Sequence, residues 1–181
     1  MNKIINTLKQ GKTILYPTDT VWGLGCDATN EEAVKKIYQL KKREESKSLI
    51  ILVDSIEMLR KYLDEIPEKA IEVLNSLEKP TTIIYKNPKN LAKNTIASDN
   101  TIAIRIPQDG FCLELIKEFG KPIVSTSANI SGEPTPKSFS EISKAILQSV
   151  DYVVDLHGDK ITEKSSTILK IEGDYVIVIR E

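Results

Sequence analysis

Short apolar runs alternate with amphipathic helical segments along the chain, a pattern typical of an α/β fold. Continuous apolar runs, such as the one at residues 49–53, are expected where a sheet is covered on both faces. The predicted strands are residues 13–16, 49–53, 81–85, 101–106, 122–124, 152–155, 167–171 and 175–179. The predicted helices are residues 2–10, 30–40, 56–63, 67–77, 109–119 and 139–148.

Polar residues with helix-capping chemistry precede several of these helices. Thr29 with Glu32, and Ser138 with Glu141, have the spacing of a capping box, in which a hydroxyl and a carboxylate accept free N–H groups. Ser55 stands before the third helix and is predicted to cap it. These positions are therefore predicted to be structural.

The first dense polar segment follows the first predicted strand and reads Tyr-Pro-Thr-Asp-Thr-Val-Trp-Gly-Leu-Gly from residue 16. Pro17 has no N–H to donate, so the strand ladder ends there and the hydroxyls of Thr18 and Thr20 lie at a strand end. Ligands of α/β folds bind at such ends. Asp19 is a candidate general base, although an aspartate in a turn more often accepts hydrogen bonds from nearby backbone.

Four cations, Lys41, Lys42, Arg43 and Lys47, follow the helix at residues 30–40 within seven positions. Cations at a helix C-terminus interact favourably with the helix dipole, which explains part of this cluster. Lys41, Arg43 and Lys47 on a short connection before a buried strand also suit a polyanion such as a triphosphate. The segment is therefore predicted to bind an anion.

A second polar segment, Ser-Thr-Ser-Ala-Asn-Ile-Ser-Gly at residues 125–132, directly follows the strand predicted at residues 122–124. It lies more than a helical turn before the cap predicted at Ser138, so capping does not explain it. Arg105 lies near the end of another strand, just before Pro107. A single arginine there is more often a snorkelling edge residue, but its position at a strand end favours a ligand contact.

The amino-acid composition limits the classes of function that the chain can have. The chain has 181 residues, enough for one domain with a real core, and 25 basic against 26 acidic residues give a net charge of −1. A broadly basic nucleic-acid-binding surface is therefore not expected, and any basic site must be local. Cys26, Cys112 and His157 supply neither a metal site nor a disulfide framework.

The remaining sequence signals argue against three other classes of protein: membrane or secreted proteins, dinucleotide-binding proteins and thiol enzymes. No apolar run reaches the roughly 18 residues of a membrane span, and the N-terminus lacks a signal-peptide core, so a soluble cytoplasmic protein is expected. Residues 23–28 match the outline of a dinucleotide fingerprint, but the preceding strand ends at residue 16, too early for that motif. Neither cysteine has a histidine partner suited to thiol catalysis.

Taken together, the two polar segments resemble the YrdC/TsaC family, the threonylcarbamoyl-AMP synthases of tRNA modification. The matching segments, in the order of the family, are residues 16–25, Lys41 with Arg43, residues 104–107, residues 125–132 and residues 166–168. The resemblance covers nearly the whole chain, so a single YrdC-like domain over residues 1–181 is expected.

The resemblance implies an α/β fold with an open, twisted, mixed sheet flanked by helices and a concave basic groove. It implies a nucleotidyltransferase that joins L-threonine, bicarbonate or CO2, and ATP into threonylcarbamoyl-AMP and pyrophosphate. ATP is then a substrate, with Mg²⁺ held through its phosphates and no metal ligand from the protein. A separate threonylcarbamoyl transferase complex would move the group onto tRNA, and weak binding of tRNA or double-stranded RNA is a further expectation.

The resemblance also implies roles for particular residues. The implied catalytic residues are Lys41, Arg43, Ser127 and Asn129. The implied ATP contacts are Arg43, Lys47, Arg105, Ser127 and Thr135, and the implied threonine contacts are Thr20, Ser125 and Ser166. The chain departs from the family pattern at three places: Glu44 replaces a proline, Glu78-Lys79 replaces Gly-Pro, and Trp22 replaces a tyrosine. The first two affect the rim of the groove, and the third keeps an aromatic wall.

Two alternatives stay open at this point. The first is a non-catalytic domain that binds double-stranded RNA or tRNA by phosphate contacts in the same groove. The near-neutral charge and an aromatic content of 6% argue against it. The second is a paralogue that acts on another acceptor, which the amino-acid dependence of ATP turnover would distinguish.

Overall fold

The computed structural model describes residues 1–45, 49–156 and 165–181. Within these residues, one sheet of nine strands forms the centre of the molecule. The strands are β1 (Ile14–Tyr16), β2 (Gly23–Gly25), β3 (Ile50–Leu52), β4 (Thr81–Lys86), β5 (Thr101–Arg105), β6 (Ile123–Ser127), β7 (Tyr152–Val153), β8 (Thr167–Glu172) and β9 (Tyr175–Arg180).

The sheet is open and mixed, which confirms the predicted fold class. Its strand order is β7-β1-β2-β6-β3-β5-β4-β8-β9, so β7 and β9 are the two edges. The pairs β1–β7, β3–β5 and β4–β8 are parallel, and the other neighbours are antiparallel. The predicted C-terminal hairpin is confirmed as β8 and β9.

Six α-helices flank the sheet in the described part of the chain. They are α1 (Asn2–Lys9), α2 (Glu31–Lys41), α3 (Ile56–Leu59), α4 (Glu68–Asn75), α5 (Gly110–Phe119) and α6 (Lys144–Ser149). Ser55 caps α3 as predicted, because its hydroxyl accepts the Met58 N–H at 3.1 Å. None of these helices is long and apolar enough to span a membrane.

Helix α2 begins one residue later than the capping box at Thr29 predicted. The side chain of Asn30 accepts the N–H of Ala33 at 3.1 Å and is the cap. Thr29 is unavailable because its N–H and hydroxyl both donate to a carboxylate oxygen of Asp27, at 2.8 and 2.6 Å. The local pattern was right about a cap but wrong about the residue.

The helix predicted at residues 139–148 is interrupted. Ser138 forms no cap, and its hydroxyl lies 2.9 Å from that of Ser140. A 3-10 turn at Phe139–Glu141 comes first, and α6 starts only after Ser143, whose hydroxyl caps it. Buried Ile142 lies between the two in an extended conformation, which brings its side chain into the core.

Two strand assignments also change. Residues 23–25, which were predicted to lie in a turn, form the buried strand β2. Strand β6 continues to Ser127 instead of ending at residue 124, because β2 and β3 pair with its two sides. Ser125 to Ser127 therefore lie within the sheet, where strand geometry sets their direction.

The register of the sheet separates a core face from an open face. Ile51, Ile104, Ile83 and Leu169 are paired across four strands and are buried in the core. Their neighbours Ile50, Ala103, Ile84 and Ile168 point to the other face, since side chains alternate along a strand. These four are only half-buried, so this face is open to a ligand.

Gly25 allows the first two strands and β6 to pack closely. A Cβ on Gly25 would lie 2.6 Å from the Val124 carbonyl oxygen and 2.6 Å from Cε1 of Tyr16. The Tyr16 hydroxyl donates to that same carbonyl oxygen at 3.1 Å, so neither atom moves easily.

We therefore expect Gly25→Ala to lower the free energy of unfolding by about 1–3 kcal/mol, as overpacking does, measured by urea denaturation. Gly110→Ala is the matched control, because no atom lies within 4 Å of the added Cβ. The control should change stability by less than about 0.5 kcal/mol or raise it slightly, since alanine favours a helix. Equal stability of the two variants would contradict this account of Gly25.

Candidate functional site

A cavity of about 360 Å³ opens on the open face of the sheet. Its size is within the range of small-molecule sites. Seven residues predicted for the site line it: Thr20, Arg43, Arg105, Ser125, Ser127, Thr135 and Ser166. The other lining residues are Val21, Leu49, Ile50, Ile84, Ala103, Thr126, Ser165, Ile168, Ile179 and Arg180.

The remaining predicted residues are placed differently. Lys41 and Asn129 do not line the cavity and lie beside Ser127, to which Lys41 is hydrogen-bonded. Lys47 lies outside the described residues. The structure thus brings most of the predicted site together from the turn after β1, the end of α2, and strands β5, β6 and β8.

Arg105 is the most buried cation of the cavity, with 3% of the residue exposed. Its Nη1 forms an ion pair with Oδ1 of Asp19, and its Nη2 donates to the Thr20 hydroxyl at 3.4 Å. Its buried Nε has no hydrogen-bond partner among the described residues. Arg105 is therefore not a snorkelling surface residue, and its Nε carries a hydrogen-bond donor that the described residues leave unused.

Asp19 is the ion-pair partner of Arg105 and is not placed to act as a general base. Its Oδ1 pairs with Arg105, and its Oδ2 accepts the N–H of Gln108 at 3.0 Å. Both carboxylate oxygens are thus occupied. The ion pair joins the turn after β1 to the end of β5 and holds the arginine in place.

The turn after β1 is organised by the hydroxyl of Thr18. This hydroxyl donates to the Val21 carbonyl at 2.7 Å and accepts the N–H groups of Thr20 and Val21 at 3.1 and 3.2 Å. The sequence predicted that both threonines face a ligand. Only Thr20 does so, because Thr18 uses its hydroxyl to shape the turn.

Arg180, at the end of β9, is a site residue that the sequence interpretation missed. Its Nε and Nη2 donate to the Ser166 carbonyl oxygen at 3.2 and 2.8 Å. Burial and the nearby Arg105 lower the pKa of Arg180, so the two cations lie close enough to interact. The signal that singled out Arg105, an arginine at a strand end, was also present at Arg180.

Cross-strand register explains why these groups meet. Arg105 pairs with Thr82, Thr82 with Ile168, and Ile168 with Arg180, so the four side chains form one row across β5, β4, β8 and β9. The Thr82 hydroxyl lies 2.8 Å from the hydroxyl of Ser166. The two arginines are thus the ends of this row, with Thr82 and Ile168 between them.

The end of α2 separates two cations that are close in sequence. Lys42 adopts a left-handed conformation with φ of 48°, and the N–H of Arg43 returns to the Tyr38 carbonyl at 2.9 Å. This geometry ends the helix and turns the chain. Arg43 consequently lines the cavity, whereas Lys41 stays on the helix with 1% of its surface exposed.

The ammonium of Lys41 is enclosed by oxygen atoms of the protein. Its Nζ donates to the carbonyl oxygens of Ser127 and Asn129 at 2.5 and 2.8 Å, and to Oδ1 of Asn129 at 3.4 Å. Burial, followed by the nearby Arg43 cation, lowers the pKa of Lys41 to about 8. The amide of Asn129 in turn donates to the Glu133 carbonyl at 2.8 Å, so it braces the following loop.

Trp22 does not form a wall of the cavity. Its ring packs against Phe139, with ring centroids 5.0 Å apart, and only 4% of the residue is exposed. The tryptophan therefore packs the 3-10 turn that begins at Phe139 against the segment after β1. Thr135, which lines the cavity, belongs to that same stretch.

The chemistry of the cavity is that of an anion site with a polar end. Arg43, Arg105 and Arg180 supply fixed donors for phosphate or carboxylate oxygens. Hydroxyl groups and a half-apolar sheet face complete the lining. No carboxylate is among the lining residues, and no cluster of three metal-ligating side chains occurs in the described residues.

Comparison with known proteins places this geometry in a family. The family model Sua5_yciO_yrdC, described as "Telomere recombination", matches residues 6–181. The chain belongs to the Sua5/YciO/YrdC family. A threonylcarbamoyl-AMP synthase of Pseudoalteromonas translucida is 39% identical over 154 residues, covering 83% of this chain and 82% of that protein. One from Xanthomonas euvesicatoria is 35% identical over 158 residues, covering 86% and 84%.

A solved structure of this family shares the fold. The P. abyssi Sua5 structure complexed with L-threonine has a TM-score of 0.89 at 29% identity and covers 98% of this chain. The present chain spans only about half of that protein, 52% of its length.

The environment of Lys41 yields a direct prediction. We expect the Cε resonance of Lys41, followed by ¹³C NMR, to titrate with a midpoint of about pH 8, because burial and Arg43 both disfavour its charged form. Arg43→Gln should raise this midpoint, since a nearby like charge is removed. A midpoint above about 10, the ordinary range of lysine, would contradict the buried placement.

Proposed function

We propose that this chain is an L-threonylcarbamoyladenylate synthase, a nucleotidyltransferase that makes threonylcarbamoyl-AMP and pyrophosphate. The observation that carries the proposal is one cavity in which three arginines lie beside a group of hydroxyls, Thr20, Ser125 and Ser166. Relatives in the same family carry the name threonylcarbamoyl-AMP synthase, and the fold neighbour Sua5 was solved with L-threonine.

The two kinds of lining residue suit the two larger substrates. Arg43 and Arg105, with the hydroxyls of Ser127 and Thr135, would bind the phosphates of ATP. Arg180 joins this set, although its bonds to Ser166 also give it a structural role. Lys47 was assigned to ATP by its motif position and keeps that assignment as a proposal.

Threonine would occupy the hydroxyl-rich end of the cavity. Thr20 is oriented by the Thr18 turn, Ser166 by Thr82, and Ser125 by its position in β6. Small hydroxyl side chains leave room for the substrate and offer both donors and acceptors. Discrimination of threonine from serine rests on one methyl group and is limited to about 1–3 kcal/mol.

The reaction needs positioning and charge stabilisation and no covalent enzyme intermediate. The threonine amine attacks bicarbonate with loss of water, or CO2 with loss of a proton, to give a carbamate. A carbamate oxygen then attacks the α-phosphate in line. The bond from the α-phosphorus to the bridging oxygen breaks, and pyrophosphate leaves with its electron pair. Arg43 and Arg105 stabilise the charge on the phosphates, and Ser127 donates to them. Mg²⁺ held by phosphate oxygens would neutralise the leaving pyrophosphate.

The product indicates the partner. Threonylcarbamoyl-AMP is a mixed anhydride of a carbamate and a phosphate, so a second enzyme must receive it and transfer the threonylcarbamoyl group. We propose that this receiver is the threonylcarbamoyl transferase complex that modifies adenosine in tRNA. Direct binding of tRNA by this chain is a separate and weaker expectation.

The decisive experiment measures pyrophosphate release from ATP with bicarbonate, with and without L-threonine, and identifies the adduct by mass. Threonine-dependent release together with threonylcarbamoyl-AMP is the expected result. Release that depends on another amino acid would identify a paralogue with a different acceptor. No turnover, combined with salt-sensitive binding of double-stranded RNA, would overturn the proposal in favour of an RNA-binding domain.

Arg43 provides a variant test of the same activity. We expect Arg43→Ala to reduce pyrophosphate release by at least about 10²-fold, because it removes a preorganised cation from the phosphates, while thermal unfolding stays unchanged. Lys42→Asn is the matched control: it removes a neighbouring exposed cation that does not line the cavity, and asparagine tolerates the left-handed conformation. Near-normal turnover of Arg43→Ala would refute the assignment.

A further inference from the structure

Lys41 and Arg43 have been treated together because they are two positions apart, but the structure gives them different surroundings. Arg43 lines the cavity, whereas Lys41 is the last residue of α2, is 1% exposed and does not line the cavity. The family resemblance implied a catalytic role for both residues. Their placement calls for two separate roles.

The first argument is the number of donors. A lysine ammonium has three N–H donors and no acceptor. Three acceptors surround Nζ of Lys41: the carbonyl oxygens of Ser127 and Asn129 and Oδ1 of Asn129, at 2.5, 2.8 and 3.4 Å. No donor is left for a phosphate oxygen while these bonds persist.

The second argument is that the main chain and the ammonium of Lys41 both form hydrogen bonds with the same segment. Its main-chain oxygen accepts the N–H of Ser131 at 2.7 Å, while its ammonium holds Ser127 and Asn129. The N–H of Asn129 also returns to the Ser127 carbonyl at 2.9 Å. Residues 127–131, which we term the β6 turn, are therefore fixed to the end of α2 chiefly through Lys41.

The third argument concerns the direction of the carbonyl dipoles. The oxygens of Ser127 and Asn129 point to a cation that lies outside the cavity lining, and so they do not face a bound polyanion. The Ser127 side chain lines the cavity and makes no hydrogen bond to other described residues, so only the backbone sets its direction. If Lys41 moved to a phosphate, both carbonyls would lose their bond to the ammonium, and of these loop hydrogen bonds Ser127 would keep only the one from the N–H of Asn129, which is unfavourable.

We propose that Lys41 is a positioning residue that acts through the β6 turn, holding Ser127 toward the nucleotide, and that its ammonium does not contact the phosphates. This inference rests on the proposed function, because it presupposes that ATP binds in the cavity. It assigns the direct phosphate contacts to Arg43 and Arg105 and gives Lys41 a different task.

A structure of the wild-type protein with α,β-methylene-ATP, Mg²⁺ and L-threonine tests the proposal without any variant. We expect Nζ of Lys41 to remain on the carbonyl oxygens of Ser127 and Asn129, with Arg43 on a phosphate. A hydrogen bond from Nζ to a phosphate oxygen would overturn the inference and leave the proposed function intact. Absence of nucleotide binding by the wild-type protein would overturn the proposed function and this inference with it.

A double-mutant cycle on turnover provides a second test. Lys41→Met keeps the length of the side chain and removes its donors, and Ser127→Ala removes the hydroxyl. We expect Lys41→Met to lower kcat by about 10²-fold, as misplacement of a reacting geometry does, and to change the ATP Kd no more than Ser127→Ala does. Arg43→Met, which removes a direct contact, should raise the Kd more than either.

The coupling in this cycle separates positioning from direct contact. If Lys41 acts through the β6 turn, Ser127→Ala lowers kcat by a much smaller factor in the Lys41→Met background than in the wild type. The reason is that the Ser127 hydroxyl is already misplaced in that background. Fully additive losses would indicate two independent contacts and would overturn the proposal. Thermal unfolding of each variant shows whether it is folded. If Lys41→Met does not fold, the structure of the wild-type complex alone decides whether Nζ of Lys41 contacts a phosphate.

Discussion

The ion pair between Arg105 and Asp19 is the interaction on which the cavity depends. A buried guanidinium is unfavourable unless it is paired, and Asp19 supplies the partner from a segment 86 positions away in sequence. The pair fixes the end of β5 against the turn after β1. That turn then presents Thr20, which lines the cavity together with Arg105.

Charge in this protein is organised locally. The whole chain is almost neutral, with a net charge of −1, yet the described residues that line the cavity include three arginines and no carboxylate. Asp19, which does not line the cavity, neutralises part of this charge through its ion pair with Arg105. Strand register brings Arg180 to the same row as Arg105. Overall composition did not reveal that three arginines meet at this one site.

The sequence predicted the fold class, and most of the predicted site residues line the cavity, because apolar periodicity and strand-end motifs are local signals. It did not separate Lys41 from Arg43, since one residue in a left-handed conformation, Lys42, sends them to different places. Thr29 and Asn30 are both good capping residues, and only the contact with Asp27 decided between them. Arg180 was missed because its role depends on the register of β8 and β9 with the rest of the sheet.

The contribution of β9 to the cavity has a consequence for the order in which the protein acquires activity during synthesis. A ribosome releases the chain from its N-terminus, so Thr20, Arg43 and Arg105 emerge well before the last two strands. Ser166 directly precedes β8 and Arg180 ends β9, and the two residues complete one side of the cavity. A nascent chain therefore lacks a finished cavity until residue 180 has left the exit tunnel, and a ligand of the cavity cannot stabilise its earlier folding intermediates through the complete set of contacts.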